Sequence, residues 1–248
     1  MIDLYKGAKF CNLSTEKCPK TTWKLDKAKF HTPRGNDPVA IMPPCCEKHI
    51  REVIFYTADL LEKNGIPYWM DFGTLLGAVR YSDEGGRIIP YDTDGDFCVF
   101  LSDRDKILNL KQRIYSDGFF LQEHHYTEER ALIIHGNTVV RICRSEKNRN
   151  QIDLFFWKSN DYNNTLTSNG LNADKTFPNW FVKERFPIPF YGKPIMAPRE
   201  PEAFLKMRFG RTWKTPQNIK VHGEDARETH KFGFVFAAKN GWSRKVKL

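Results

Sequence analysis

The sequence has no long apolar run. Nowhere in its 248 residues do 18 or more apolar residues follow one another, so no membrane-spanning helix is predicted. The first twenty residues lack the apolar core of a secretory signal peptide, and the sequence predicts no membrane anchor or other targeting signal. There is no internal repeat and no low-complexity tract, so a repeat architecture is not expected.

Acidic residues are in the minority. The chain has 39 Lys and Arg against 30 Asp and Glu, a formal net charge of +9. Such an excess favours phosphate-bearing partners, such as a nucleotide, a phospho-sugar or a nucleic acid, or serves solubility alone. The basic residues are scattered and form no stripe interleaved with aromatic residues, so a nucleic-acid partner is not favoured.

The hydrophobic share of 40% is enough for one sizeable core. We expect an irregular segment at residues 1–44 and one folded domain at residues 45–248. In this domain helices are predicted at 45–65, 73–80, 103–117 and 199–210, strands at 66–70, 97–101, 119–126, 131–135, 138–144 and 151–157, a hairpin turn at 135–137, and long loops at 158–195. Because several strands follow one another without intervening helices, the pattern predicts a mixed α/β (α+β) fold rather than a purely parallel sheet.

Three aspartates crowd the start of an apolar strand in the stretch PYDTDGDFCVFLSD, at residues 90–103. A polar turn is one explanation. A calcium-binding EF-hand loop beginning at Asp92 is excluded, because Phe97 stands where that loop needs glycine. Asp94 and Asp96 lie two apart in a strand and so project from one face, where each raises the pKa of the other. A divalent cation is the simplest partner, and Mg²⁺ (or Mn²⁺) suits carboxylates that face phosphate oxygens.

Two further features extend this prediction. Asp153 stands alone in the apolar strand QIDLFF, where it needs a metal, an arginine such as Arg141, or hydrogen bonds. Upstream, Gly73 and Thr74 lie between a strand and a helix, where the backbone can approach a phosphate. A Gly-Thr turn, an Asp-x-Asp strand and a lone-Asp strand follow one another in nucleotidyltransferase-fold enzymes, whose carboxylates hold metal for in-line phosphoryl transfer. Arg141 is the best placed of the nearby basic residues to contact phosphate.

The sequence YWMDFGTLLGAVR…GGRIIPYDTDGDF resembles the LicD family, which includes fukutin-type proteins of eukaryotes. The family signature is W-x-D-x-G-T-L-L-G-A-x-R followed by I-P-W-D-D-D-I-D. The first part is matched almost completely at residues 69–80, whereas Tyr91, Thr93 and Gly95 depart from the second part. Near the C-terminus, IMAPREPEAFLKMRFGRTWKTP resembles the closing segment of the family, with Phe209 in place of tyrosine. The resemblance covers about residues 45–216.

This resemblance implies a nucleotidyltransferase-like mixed sheet flanked by helices. It implies a phosphotransferase that moves phosphocholine or a ribitol or glycerol phosphate from a CDP-linked donor to a glycan or glycoprotein acceptor. The metal ligands and catalytic acids would be Asp94, Asp96 and Asp153. Substrate or phosphate contacts would come from Asp71, Gly73, Thr74, Arg80, Asp92 and Arg141, with Arg80 supporting either the substrate or the loop. The animal members work in the secretory pathway, which would place the protein in the ER or Golgi lumen.

Two other functions stay open. One is a nucleotidyltransferase acting on a nucleotide or a nucleic acid, which the same fold and the basic charge allow. The other is a catalytically silent, glycan-binding relative, against which the intact Asp94, Asp96 and Asp153 argue.

Four of the six cysteines lie in or beside the irregular segment, at Cys11, Cys18, Cys45 and Cys46. A segment without a core of its own suggests a staple. The four could hold structural Zn²⁺, form two disulfides in an oxidising compartment, or remain free thiols. The cluster resembles the one that precedes the catalytic motifs of fukutin-related proteins, which favours zinc. Cys98 and Cys143 are expected in the core.

Overall fold

The computed structural model describes residues 44–90, 92, 94–125, 138–146, 148, 150–168 and 176–214. Predictions that concern Cys11, Cys18, the strand at 131–135 and the hairpin turn at 135–137 lie outside the described residues. Within that part of the chain, no helix is long and apolar enough to cross a membrane.

The described residues form six α-helices and nine β-strands. The helices are α1 (Pro44–Lys63), α2 (Phe72–Arg80), α3 (Arg104–Asn109), α4 (Lys111–Ser116), α5 (Trp180–Lys183) and α6 (Pro201–Phe209). The strands are β1 (Tyr68–Met70), β2 (Gly95–Phe100), β3 (Phe120–His125), β4 (Thr138–Cys143), β5 (Gln151–Asn160), β6 (Thr165–Ser168), β7 (Thr176–Pro178), β8 (Arg185–Phe190) and β9 (Lys193–Pro198).

Seven strands share one mixed sheet, with the order β1-β2-β5-β4-β3. The long strand β5 pairs with β2 and β4 along its first part and with β6 near its end, and β7 continues beyond β6. Only β2 and β5 run parallel among the strand pairs that the structure describes, and β8 and β9 form a separate hairpin. The mixed α/β fold is confirmed.

Helix α1 and the two parallel strands form the centre of the core. On α1, Ile50, Val53, Ile54 and Leu61 are fully buried at the spacing of one helix face. Strand β2 is buried almost throughout, and β5 is buried from Ile152 to Trp157 before its last three residues become exposed. Continuous apolar runs of this kind are expected for central strands. The helix packs so closely on the sheet that a Cβ atom at Gly95 would lie 2.7 Å from the Ile54 side chain.

The structure differs from the predicted elements in two places. The predicted helix at residues 103–117 is two short helices, because the ψ angle of −1° at Leu110 interrupts the α-helical repeat. The prediction of long loops at residues 158–195 is wrong, since the described part of this segment contains β6, β7, α5 and β8, together with the end of β5 and the start of β9. Pro187 and Pro189 are the reason that β8 was not predicted, because proline is rare within strands. They are tolerated here because β8 pairs only with β9, and in such a hairpin alternate backbone N–H groups of a strand need no partner.

Candidate active site

The candidate site lies where four elements, β1, α2, β2 and β5, meet at one end of the sheet. Strand β1 runs antiparallel to β2 and ends beside its start, with Met70 opposite Phe97. Helix α2 begins two residues later. Strand β5 enters parallel to β2, which makes Asp96 and Asp153 direct cross-strand neighbours. The predicted carboxylates and the start of α2 are therefore brought together.

Residues at the start of α2 hydrogen-bond to both backbone groups of Asp96 in β2, its carbonyl oxygen and its N–H. The backbone N–H of Asp71 donates to the carbonyl oxygen of Asp96 over 3.2 Å. The backbone N–H of Asp96 in turn donates to Oγ1 of Thr74 over 2.7 Å. Thr74 is buried, and its hydroxyl positions Asp96, whereas the sequence predicted a phosphate contact for it.

Gly73 lies against a carboxylate. A Cβ atom at this position would lie 2.0 Å from Oδ2 of Asp92, so only a hydrogen atom leaves room for that side chain. Because Gly73 has no side chain, the Asp92 carboxylate can lie against the first turn of α2. The sequence predicted a phosphate at this position.

Asp94 and Asp96 are unfavourable as bare carboxylates. Burial raises the pKa of Asp94 well above its usual value, the negative charges of Asp92 and Asp153 raise it further, and Arg141 partly offsets the effect. Burial likewise raises the pKa of Asp96, with the charges of Asp94, Asp92, Asp153 and Asp71 adding to it. Both raised pKa values show that the positive charges of the protein offset only part of the repulsion among these carboxylates.

Asp153 is paired with an arginine. Nε and Nη2 of Arg141 donate to its two carboxylate oxygens over 2.9 and 3.2 Å, and Nε2 of Gln151 donates to Oδ1 over 3.0 Å. The cross-strand register places Arg141 directly opposite Asp153. Burial raises the pKa of Asp153, and Arg141 opposes this shift. Of the three kinds of partner predicted for Asp153, the structure thus shows the arginine and a side-chain hydrogen bond, and a role as third metal ligand stays a prediction.

Asp71 and Arg80 stabilise the fold around the site. Asp71 is fully buried, where it caps α2 by accepting from the N–H of Phe72 and forms an ion pair with Arg208. This geometry favours a structural role over the predicted substrate contact. Nε of Arg80 donates to the carbonyl oxygen of Trp213 over 2.8 Å, which ties α2 to the segment after α6.

Sequence reasoning missed two residues of the site. Arg208 lies on α6 and is 5% exposed. Phe72 opens α2 with a φ angle of +46°, a conformation that a bulky residue rarely adopts. One signal was available for Arg208, since it follows Phe204 and Leu205 at the spacing of a buried helix face. The positive φ angle of Phe72 has no counterpart in the sequence.

The donor set fits Mg²⁺ or Mn²⁺ in an open site. Asp94 and Asp96 supply hard oxygen atoms. Their pKa values are raised by burial and by neighbouring negative charges, and a bound cation would offset that repulsion. In the described ranges, no group of three or more His, Cys, Asp or Glu side chains is arranged to hold a metal ion. The fit is therefore to a site with two protein carboxylates, in which water and phosphate oxygens fill the other positions, as Mg²⁺ prefers.

The described cysteines are buried. Cys98 and Cys143 are both fully buried, which confirms their prediction as core residues. Sγ of Cys98 donates to Oδ2 of Asp71 over 3.2 Å and accepts from Nε1 of Trp157 over 3.0 Å. Cys46 is buried and disulfide-bonded. Cys11, Cys18 and the Cys45 side chain lie outside the described residues. A cysteine in a disulfide is not a zinc ligand, so a zinc site that includes Cys46 does not fit this structure, and zinc at the other three cysteines stays a prediction.

A comparison with protein families decides what kind of domain this is. The family model described as "LicD/FKTN/FKRP, nucleotidyltransferase domain" matches residues 65–200, more than half of the chain. The chain belongs to the LicD family. The matched region contains Asp94, Asp96, Asp153 and the start of α2, whereas Arg208 lies beyond it.

Two human transferases and a bacterial protein are similar to this chain. Human "Ribitol 5-phosphate transferase FKRP" is 32% identical over 202 residues, which are 81% of this chain and 38% of the human protein. Human "Ribitol-5-phosphate transferase FKTN" is 24% identical over 175 residues, 68% of this chain and 34% of that protein. An uncharacterised protein of Rickettsia prowazekii is 34% identical over 95 residues, 38% of this chain and 32% of that protein. The LicD chain thus spans little more than a third of the two human relatives.

Proposed function

We propose that this LicD domain is a metal-dependent phosphotransferase, which moves a phospho-alcohol from a CDP-linked donor to a hydroxyl group of a glycan or glycoprotein. The observation that carries the proposal is the pair of neighbouring carboxylates of Asp94 and Asp96, whose pKa values are both raised. Thr74 in the first turn of α2 holds Asp96 in place. The printed names of the human relatives favour ribitol 5-phosphate among the candidate groups, ahead of phosphocholine and glycerol phosphate.

The residues of the chain have separate tasks in this reaction. A divalent cation bound to Asp94 and Asp96 would neutralise charge on the donor phosphates. Arg141, held by Asp153, adds a positive charge close to Asp94. The acceptor oxygen forms a bond to the phosphorus that carries the alcohol, the bond from that phosphorus to CMP breaks, and the hydroxyl proton passes to a carboxylate or to water.

A binding experiment tests the donor and the metal together. The melting temperature is measured with CDP-ribitol, CDP-choline, CDP-glycerol, CTP and ATP, each with and without Mg²⁺. A ligand bound only by the folded state at 100 times its Kd adds about 2.7 kcal/mol of stability. We expect a rise that needs both a CDP-alcohol and the metal. A response to nucleoside triphosphates alone would support the nucleotidyltransferase alternative, and no response at all would support the silent relative.

The lumen of the ER or Golgi is the location we propose. The support is the similarity to the two human transferases and the disulfide at Cys46, a bond that persists in oxidising compartments. Fractionation of cells that express the tagged protein, with protease protection of the lumenal contents, tests this location.

A further inference from the structure

We propose that Arg208 is a positioning residue of the acidic site, which acts on Asp96 through Asp71 and Phe72. The inference rests on the proposed function and deepens it, since it names a residue outside the motifs on which turnover depends. It is carried by a continuous set of contacts from α6 to β2.

The first contact is an ion pair between two buried side chains. Nη2 of Arg208 lies 2.5 Å from Oδ2 of Asp71, and the two side chains are 2% and 0% exposed. Removing two charges from water costs so much that an apolar pair of similar volume often gives equal or greater stability. Stability alone is therefore a weak reason for an ion pair at this place, next to the start of α2.

Aromatic rings surround the guanidinium and restrict its orientation. Its central carbon lies 4.1 Å from the ring centroid of Phe72, 5.0 Å from that of Phe177, and 5.4 Å from those of Trp157 and Phe204. Ring faces attract a cation, and a planar guanidinium can stack on them while it donates along its edge. The face of the Arg208 guanidinium can therefore stack on the Phe72 ring, while an N–H at its edge donates to the Asp71 carboxylate.

Phe72 needs such support because its backbone is strained. Its φ angle is +46°, and a conformation of this kind persists only where the surroundings enforce it. The N–H of Phe72 donates to Oδ1 of Asp71 over 2.6 Å, while its ring packs under Arg208. Arg208 thus contacts both groups that hold this residue, the ring directly and the N–H through Asp71.

The strained turn then positions Asp96. The N–H of Asp71 and the hydroxyl of Thr74 hold the carbonyl oxygen and the N–H of Asp96, respectively. A shift of the first turn of α2 would move both contacts together. Loss of Arg208 should therefore displace a proposed metal ligand, although Arg208 itself binds neither metal nor substrate in this proposal.

The test uses a double variant that removes the ion pair without leaving a buried charge. Arg208→Met alone would leave Asp71 charged and unpaired, so it is combined with Asp71→Asn, whose amide oxygen can still cap α2. Three quantities are compared with the unsubstituted protein: the melting temperature, the amide hydrogen exchange of residues 71–75 and 96, and kcat and KM for the CDP-alcohol.

We expect the double variant to fold, with exchange at residues 71–75 and 96 at least tenfold faster and protection elsewhere unchanged. We expect kcat to fall at least tenfold while KM changes little, since donor contacts remain. Unchanged exchange at these residues, or an equal acceleration in every helix, would overturn the proposal. If the double variant does not fold, Arg208→Lys, which keeps the charge and loses the planar fork, is measured against the same two outcomes.

The two proposals fail separately. If the unsubstituted protein transfers no phospho-alcohol, the proposed function is wrong, and hydrogen exchange still decides the role of Arg208. The matched control is Glu184→Gln with Arg199→Met, which removes a surface ion pair of 2.8 Å between half-exposed side chains. This control should leave the exchange of residues 71–75 unchanged.

Discussion

At the scale of single residues, the acidic site depends on carboxylates that the fold keeps close together and largely out of water. Asp96 is 8% exposed and has Asp153 as its cross-strand neighbour. Arg141 offsets only part of the rise in the pKa values of Asp94 and Asp153. The raised pKa values of Asp94 and Asp96 show that the folded protein disfavours their charged forms. Two predictions concern this cluster.

The first prediction replaces either proposed metal ligand. Asp94→Asn or Asp96→Asn should reduce turnover by about a thousandfold, because metal stabilisation of transition-state charge contributes several kcal/mol and each 1.36 kcal/mol is tenfold in rate. Without metal, both variants should melt at or above the temperature of the unsubstituted protein, because repulsion between buried carboxylates is relieved. Asp105→Asn, at a side chain that is 89% exposed, is the control. Full activity in either site variant would contradict the assignment.

The second prediction concerns Gly73. Ala in place of Gly inside a helix normally adds about 1 kcal/mol of stability. Here the new methyl group would meet the Asp92 carboxylate, so Gly73→Ala should add nothing or destabilise the protein. In an Asp92→Ser background the same substitution should become stabilising. Chemical denaturation of the four proteins measures the coupling, and additive effects would show that Gly73 and Asp92 do not interact.

At the scale of elements, α1 is joined to the turn between β4 and β5 by a histidine. Nδ1 of His49 lies 3.0 Å from Nδ2 of Asn148, which can donate only to an unprotonated ring nitrogen. Burial lowers the pKa of His49, Arg144 and Lys48 lower it further, and Glu52 opposes them. The folded protein therefore favours neutral His49.

The third prediction follows from this shift. A histidine with a lowered pKa in the folded state takes up its proton more readily in the unfolded state, whose pKa is about 6.5. Stability is thus unaffected well above that pH and falls as the pH drops below it. The melting temperature of the unsubstituted protein should decrease more steeply between pH 7 and pH 5 than that of His49→Gln. Parallel curves for the two proteins would exclude this contribution.

At the scale of the whole molecule, one hydrophobic core joins elements that are far apart in the chain. The cluster extends from Cys46 on α1 to Phe204 on α6 and Trp213 beyond it. Phe204 packs on Phe177 and Phe181, with ring centroids 4.9 and 5.4 Å apart. The acidic site therefore depends on the folding of the whole described domain.

The fourth prediction tests this dependence. Phe204→Ala should cost about 3–5 kcal/mol, because it leaves a cavity in the core. Unfolding should remain a single transition, coincident by circular dichroism and by tryptophan fluorescence. Phe186→Ala, at a residue that is 50% exposed, is the control and should change the melting temperature little. Two separate transitions in Phe204→Ala would show that α6 and the sheet unfold independently.

Several features of the site were predictable because they depend on neighbours in the sequence. Asp94 and Asp96 stand two apart at the start of an apolar run, although β2 begins at Gly95 and Asp94 lies just before it. Gly73 and Thr74 stand at a strand-to-helix turn. The helical spacing on α1 and the apolar runs of β2 and β5 likewise identified the central elements. The strands within residues 158–195 were missed, since prolines and short lengths weaken their alternation.

The sequence by itself determined the class of fold, the LicD resemblance and the aspartates of the site, because periodicity and motif spacing arise from contacts between nearby residues. Only the tertiary structure decided the partners of the buried charges. The strand register places Arg141 opposite Asp153, and the packing of α6 brings Arg208 to Asp71 across 137 positions of the chain. Burial makes these pairings necessary, but the sheet and the core determine which charges meet, and no local pattern encodes that choice.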